Sequence, residues 1–257
     1  MILEKSNGKT HKIGDLVQMQ KKDRNYICFP WWYVVFTLVF AVLVCLWPGY
    51  HETVLFSILG GIEENAGEVL VVPMGRWLFC IGYFCLITGL EVGKVKCLST
   101  VVIYRCENFE KWWRKQFYRI NIIVLLLFGE ACLIWIGIEK IQGNQSENII
   151  ELVVTFSIHL VLLMTFEICG ELLCSKGIIA GILIVLEGLM YVLAEQLSNP
   201  WFVGGMLIRS EEYLDSGFRL SVMYAVQILI LFSCWFVLGK LLKQKMLNGQ
   251  KGKQIWE

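Results

Sequence analysis

Six apolar stretches of nearly bilayer length alternate along this chain with intervals that hold most of its charge. They run over 31–47, 77–92, 120–138, 149–173, 178–194 and 220–238. A hydrocarbon core about 30 Å thick takes roughly 20 helical residues to cross. Inside it the backbone has no water to pair with, so only helices and closed barrels span it. The sequence therefore predicts an all-α, polytopic transmembrane bundle of about six spans. Composition agrees: apolar residues make up 56% of the chain and the mean hydropathy is +0.60, against about 45–50% apolar for soluble domains.

The first stretch carries no charge and is bracketed by Pro30 and Pro48, with Trp31, Trp32 and Tyr33 at one end and Trp47 and Tyr50 at the other. Such aromatic ends sit at membrane interfaces. The second stretch is short, with Pro73 marking its start. Gly143-Asn144-Gln145-Ser146 reads as a turn, and Cys174-Ser175-Lys176-Gly177 as the tip of a tight antiparallel hairpin. The interval 195–219 is long for a structureless connection and reads as one or two short helices on the outer surface. The predicted layout is an N-terminal cytoplasmic segment over 1–30, a transmembrane domain over 31–242, and a tail over 243–257. The first thirty residues are polar and show no secretory signal pattern. No internal repeat is evident.

Orientation follows from the basic residues. Of the 23 lysines and arginines, only Arg76, Lys140, Arg209 and Arg219 fall on the side opposite the N-terminus. This split requires an even number of spans and puts both termini inside. The expected location is a bacterial cytoplasmic membrane, crossed several times.

Several chemistries are poorly supported. Net charge +1 gives no signal for nucleic acid. Gly89-Leu90-Glu91-Val92-Gly93-Lys94 is one residue short of a phosphate loop and lacks its Ser or Thr. There is no HExxH and no GxSG. The ten cysteines form no CxxC pair, and most lie in apolar stretches. They read as packing residues rather than zinc ligands or disulfides, and suggest a reducing or oxygen-poor habitat. No catalytic residue, metal site or cofactor is expected in this chain.

Two sets of residues carry the functional reading. The first is the basic, aromatic segment 94–119. Within it Phe109, Trp113 and Phe117 recur on one helical face while Lys111, Arg114 and Lys115 fall toward others. It reads as an interfacial helix leading into the third span, as a docking element for a cytoplasmic partner, or as both. The second set is intramembrane: Glu130, His159, Glu167, Glu171 and Glu187. A charge at bilayer depth costs about 2.5–3.5 kcal/mol on insertion scales. Such groups pair, stay protonated, or line a path for protons or a cationic substrate. Glu167 and Glu171 share a face at i, i+4. Glu171 and Glu91 lie near the cytoplasmic ends and are expected to reach water, while Glu130 and Glu187 lie deeper.

The arrangement resembles the permease subunits of type-2 ABC transporters, in particular small Gram-positive permeases of bacteriocin or lantibiotic immunity and peptide export. The likeness rests on Ile103-Tyr104-Arg105 followed by Lys111-Trp112-Trp113, on a polar segment before the first span, on the very short turn between spans four and five, and on the outer segment before span six. It covers the whole chain as topology and about a dozen residues as sequence. It implies that 94–119 couples to an ATPase, with Tyr104, Arg105, Glu107, Asn108, Phe109, Lys111 and, in the second turn, Lys176 as contacts. It also implies two separate ATPase subunits holding ATP and Mg, and a second permease chain, the same or different. The rival reading is a non-transporting membrane immunity or accessory protein. In either case the acidic outer intervals (Glu52, Glu63, Glu64, Glu68, Glu211, Glu212, Asp215) suit a cationic peptide.

Overall fold

The computed structural model describes residues 31–46, 54–59, 71–102, 109–143, 149–173, 178–197 and 225–236. All of them but Trp31 and Gly143 are helical. The helices are α1 (Trp32–Leu46), α2 (Val54–Leu59), α3 (Val71–Val102), α4 (Phe109–Gln142), α5 (Ile149–Leu173), α6 (Ile178–Leu197) and α7 (Ala225–Phe236). Three segments, Met74–Ser99, Lys111–Gln142 and Leu152–Glu171, are long and apolar enough to cross a membrane, so the chain is built as a membrane protein. Three shorter apolar helices accompany them: Trp32–Leu46, Ile178–Leu193 and Ala225–Phe236.

Each apolar stretch read from the sequence contains a helix, and α5 has the predicted bounds. Two boundaries differ most. The second stretch, read as ending near residue 92, continues as helix to Val102, so α3 has 32 residues. Hydropathy fades there because Lys94 and Lys96 enter the helix, and both are neutralised by buried glutamates. The third stretch begins earlier, at Phe109, giving α4 34 residues. At about 1.5 Å per residue α3 and α4 are each roughly 50 Å long, well beyond the hydrocarbon thickness. Pro73 falls in the first turn of α3, where a missing N–H leaves no bond unmade. α4 ends on Gly143, whose φ of 78° is left-handed and whose N–H donates to the Lys140 carbonyl at 3.3 Å. The element missed in the sequence is α2. Six residues are too few to show a period, yet Leu55, Ile58 and Leu59 are buried.

α4 packs along α1, and α3 packs on α5 and α6. α1 turns one stripe inward, Tyr33, Thr37, Phe40, Ala41 and Val44. Rings bridge the helices: Phe40 stacks on Tyr83 at 4.0 Å, Phe84 meets Phe128 at 5.9 Å, and Phe128 stacks on Phe156 at 5.0 Å. The Trp135 indole donates to the Ala41 carbonyl at 3.1 Å. Lipid tails are as apolar as these side chains, so close packing and interhelical hydrogen bonds hold the bundle, rather than exclusion from water.

Glycines allow the closest approaches. A Cβ on Gly170 of α5 would stand 2.7 Å from the Ile179 Cγ2 of α6. Gly170→Ala should therefore destabilise the protein by about 1–3 kcal/mol, read as a lower melting temperature in detergent. Adding Ile179→Ala should restore most of the loss; an additive second loss would mean that the two helices do not meet there.

Candidate functional site

The start of α1, the C-terminal part of α3, the start of α4 and the end of α5 meet at one end of the bundle, and the carboxylate of Glu91 lies among the first three. Its residue is fully buried. Oε1 accepts from the Tyr33 hydroxyl at 2.8 Å and from Lys94 Nζ at 2.5 Å, and Oε2 accepts from Arg119 Nη2 at 2.8 Å. Lys94 also donates to the Tyr33 oxygen at 3.2 Å and lies 5.0 Å from that ring and 5.9 Å from the Trp32 ring. Arg119 reaches back to Gln116 at 3.1 Å. One acid thus holds two bases from two helices and a phenol from a third. A turn further along, Lys96 of α3 pairs with Glu171 of α5 at 2.7 Å. The expectation that Glu91 and Glu171 simply reach water is overturned: both are buried and ion-paired. The i, i+3 spacing of Glu91 and Lys94 was the available signal, but Arg119 is 28 positions away and only the α3–α4 packing brings it near.

Beside this knot Trp113, Phe117 and Ile120 of α4 bury against Val92 and Val95 of α3 and Ile168 of α5. The predicted amphipathic face over Phe109, Trp113 and Phe117 is therefore inward at its two described side chains, while Lys111, Arg114 and Lys115 are exposed. Arg114 lies 5.2 Å over the Trp235 ring of α7. A cleft of 830 Å³ runs along this part of α4, from Lys111 and Lys115 down to Ile122 and Leu126. Of the expected coupling residues, Phe109 opens α4 and Lys111 is exposed at its first turns. Tyr104, Arg105, Glu107, Asn108 and Lys176 lie outside the described residues, as does the outer interval 195–219 except for the end of α6.

The intramembrane set divides in four. His159 of α5 meets Glu187 of α6 (Nε2 to Oε2, 3.2 Å), and the Trp77 indole of α3 donates to the same oxygen at 3.3 Å. These three buried side chains tie α3, α5 and α6 together deep in the bundle. Glu171 belongs to the basic end. Glu167, fully buried between them on α5, has no hydrogen-bond partner on either oxygen apart from the neighbouring Cys85 thiol, a weak donor. Glu130 is only half-buried, on α4 near the Tyr83 hydroxyl.

The opposite end has a smaller polar set that sequence reading did not single out. Glu139 of α4 accepts from the Leu55 N–H at the start of α2 at 2.5 Å, and Arg76 of α3 donates to the Ser57 hydroxyl at 2.7 Å. Both charged side chains are buried and fix α2 in place. No group of His, Cys, Asp or Glu among the described residues could hold a metal ion. Comparison with protein-family models, with curated proteins and with solved structures finds no match.

The knot at Glu91 yields a direct test. Glu91→Leu leaves Lys94 and Arg119 without their acid. Removing one partner of a buried pair costs about 3–5 kcal/mol, and some of this returns here because Lys94 is about one-third exposed. We expect a loss of about 3 kcal/mol in detergent unfolding. Glu91→Leu and Arg119→Leu together should cost clearly less than the sum of the two singles. Additive losses would show that the two residues do not interact.

Proposed function

We propose that this chain is the membrane-spanning permease subunit of an ATP-driven transporter that expels an amphipathic peptide. On this reading it crosses a bacterial cytoplasmic membrane six times, with both termini and the basic end of the bundle inside. Two ATPase subunits supply hydrolysis, and a second permease chain, the same or different, completes the transporter.

The observation that carries the proposal is the α3–α4 hairpin. Both helices are far longer than the hydrocarbon layer, and their surplus length at the tip is basic, with Lys94, Lys96, Lys111, Arg114, Lys115 and Arg119. Residues 103–108, which join the two helices in sequence, include Tyr104, Arg105, Glu107 and Asn108, with Phe109 next. A docking element that transmits force needs stiff attachment. Glu91 ties both arms of the hairpin to each other and to α1, and Lys96–Glu171 ties one arm to α5. Displacement of the tip would therefore reach at least three helices at once. Substrate attraction would come from the acidic intervals on the other side, among them Glu52, Glu63, Glu64 and Glu68, by long-range steering.

The test is capture of the partner. Affinity-tagged chain, co-expressed with its neighbouring genes and extracted in mild detergent, should bring down an ATP-binding subunit. Arg105→Glu and Phe109→Ala should each reduce that recovery at least fivefold without changing the yield of the chain itself. A folded, stable chain that never retains an ATPase would favour the non-transporting immunity role. A second expectation concerns the substrate: replacing Glu52, Glu63, Glu64 and Glu68 by glutamine should weaken resistance of cells to a cationic peptide. Unchanged resistance would remove the steering role of these acids.

A further inference from the structure

Glu167 sits where a carboxylate is most costly and has only a thiol beside it. The residue is fully buried, and neither oxygen has a conventional hydrogen-bond partner. Room for the carboxyl comes from a glycine: a Cβ on Gly89 of α3 would stand 3.2 Å from Oε1. The surrounding groups are accounted for element by element. On α3, the Cys85 thiol is adjacent, Thr88 spends its hydroxyl on the Met164 sulfur at 2.5 Å, and Lys96 is held by Glu171. On α5 itself, Glu171 lies one turn toward the basic end and His159 two turns the other way. α6 contributes Glu187, engaged with His159 and Trp77. α4 contributes Phe117 and Ile120, packed with Ile168 in one apolar cluster, and the described part of α2 has no titratable side chain.

An ionised carboxylate so enclosed loses its hydration without gaining a counter-charge, whereas the neutral acid loses far less. We propose that Glu167 is a proton-binding site: in the closed bundle its carboxyl carries a proton, which enters from the basic end past Glu171. When α3 and α5 part and water reaches the site, the acid gives that proton to water and becomes a hydrated carboxylate. One proton is bound per closure and one released per opening. Raising the pH therefore favours the open bundle, because the closed state binds the extra proton. Movement of α3, the helix that leads to residues 103–108, is thereby tied to proton transfer. This inference rests on the α3–α5 packing and stands whether or not the chain serves a transporter.

The experiment is infrared spectroscopy of the full chain in lipid nanodiscs at neutral pH, with glutamate carrying 13C at the side-chain carboxyl. The expected spectrum contains the C=O stretch of a protonated acid that shifts with the label, disappears in Glu167→Gln and survives in Glu171→Gln and Glu187→Gln. Labelled glutamates that show carboxylate bands alone overturn the proposal, and that reading needs only the wild-type protein. A protonated band that persists in a folded Glu167→Gln overturns it equally, because the proton then belongs elsewhere. Melting temperature in the same nanodiscs should fall with rising pH more steeply in the wild type than in Glu167→Gln.

Discussion

In a bilayer every buried polar group must find its partner inside the protein, and this bundle meets that demand at Glu91 before anywhere else. The carboxylate uses both oxygens on three donors from α1, α3 and α4. Without it Lys94 and Arg119 would be two like charges at the mouth of an apolar bundle. With it they become the fastening that sets how the three helices meet. The Trp113, Phe117 and Ile120 cluster then packs beside a fixed ion pair. The ion pair and the packing depend on each other, since the apolar contacts exclude the water that would otherwise weaken the pair.

The two ends are built differently. At the basic end the charges belong to long helices that continue past the apolar region, and Lys94 and Lys96 keep part of their surface exposed. At the other end Arg76 and Glu139 are spent on α2, a short helix held against α3, α4 and α5. Between the ends, His159, Glu187 and Trp77 hydrogen-bond to one another, while both oxygens of Glu167 lack a conventional partner. Among the described residues, Glu167 is the carboxylate with both oxygens buried and unpartnered, which puts pH sensitivity at the α3–α5 interface. On the proposed function, that interface includes the helix an ATPase would push.

Much of this architecture was legible in the sequence. Apolar length and the intervals between stretches located six helices, and α5 was bounded correctly because short polar, glycine-containing sequences flank it on both sides. Amphipathic spacing put Trp113 and Phe117 on one face and Lys111, Arg114 and Lys115 on others, but which way the first face turns, inward, came only from its packing on α3 and α5. What escaped depends on contacts between distant residues. Lys94 and Lys96 looked like the end of a span because hydropathy scores a lysine as if it were alone. Glu91 looked like a rim residue because Arg119, its partner, comes from another helix. α2 was invisible as a period and became a helix through Glu139 and Arg76. The intramembrane acids were recognised as costly, but sequence could not divide them into paired Glu171 and Glu187, half-buried Glu130 and unpaired Glu167.

The central claim is that the α3–α4 hairpin tip meets an ATPase on the cytoplasmic side. A photo-crosslinking amino acid placed at position 105 in living cells tests it most directly. The account predicts a single dominant adduct with an ATP-binding subunit, dependent on illumination and lost when the probe is moved to the exposed position of Leu133, in the apolar part of α4. A tip that cross-links to no ATP-binding protein, or that reacts with a membrane-impermeant reagent from outside the cell, would contradict it.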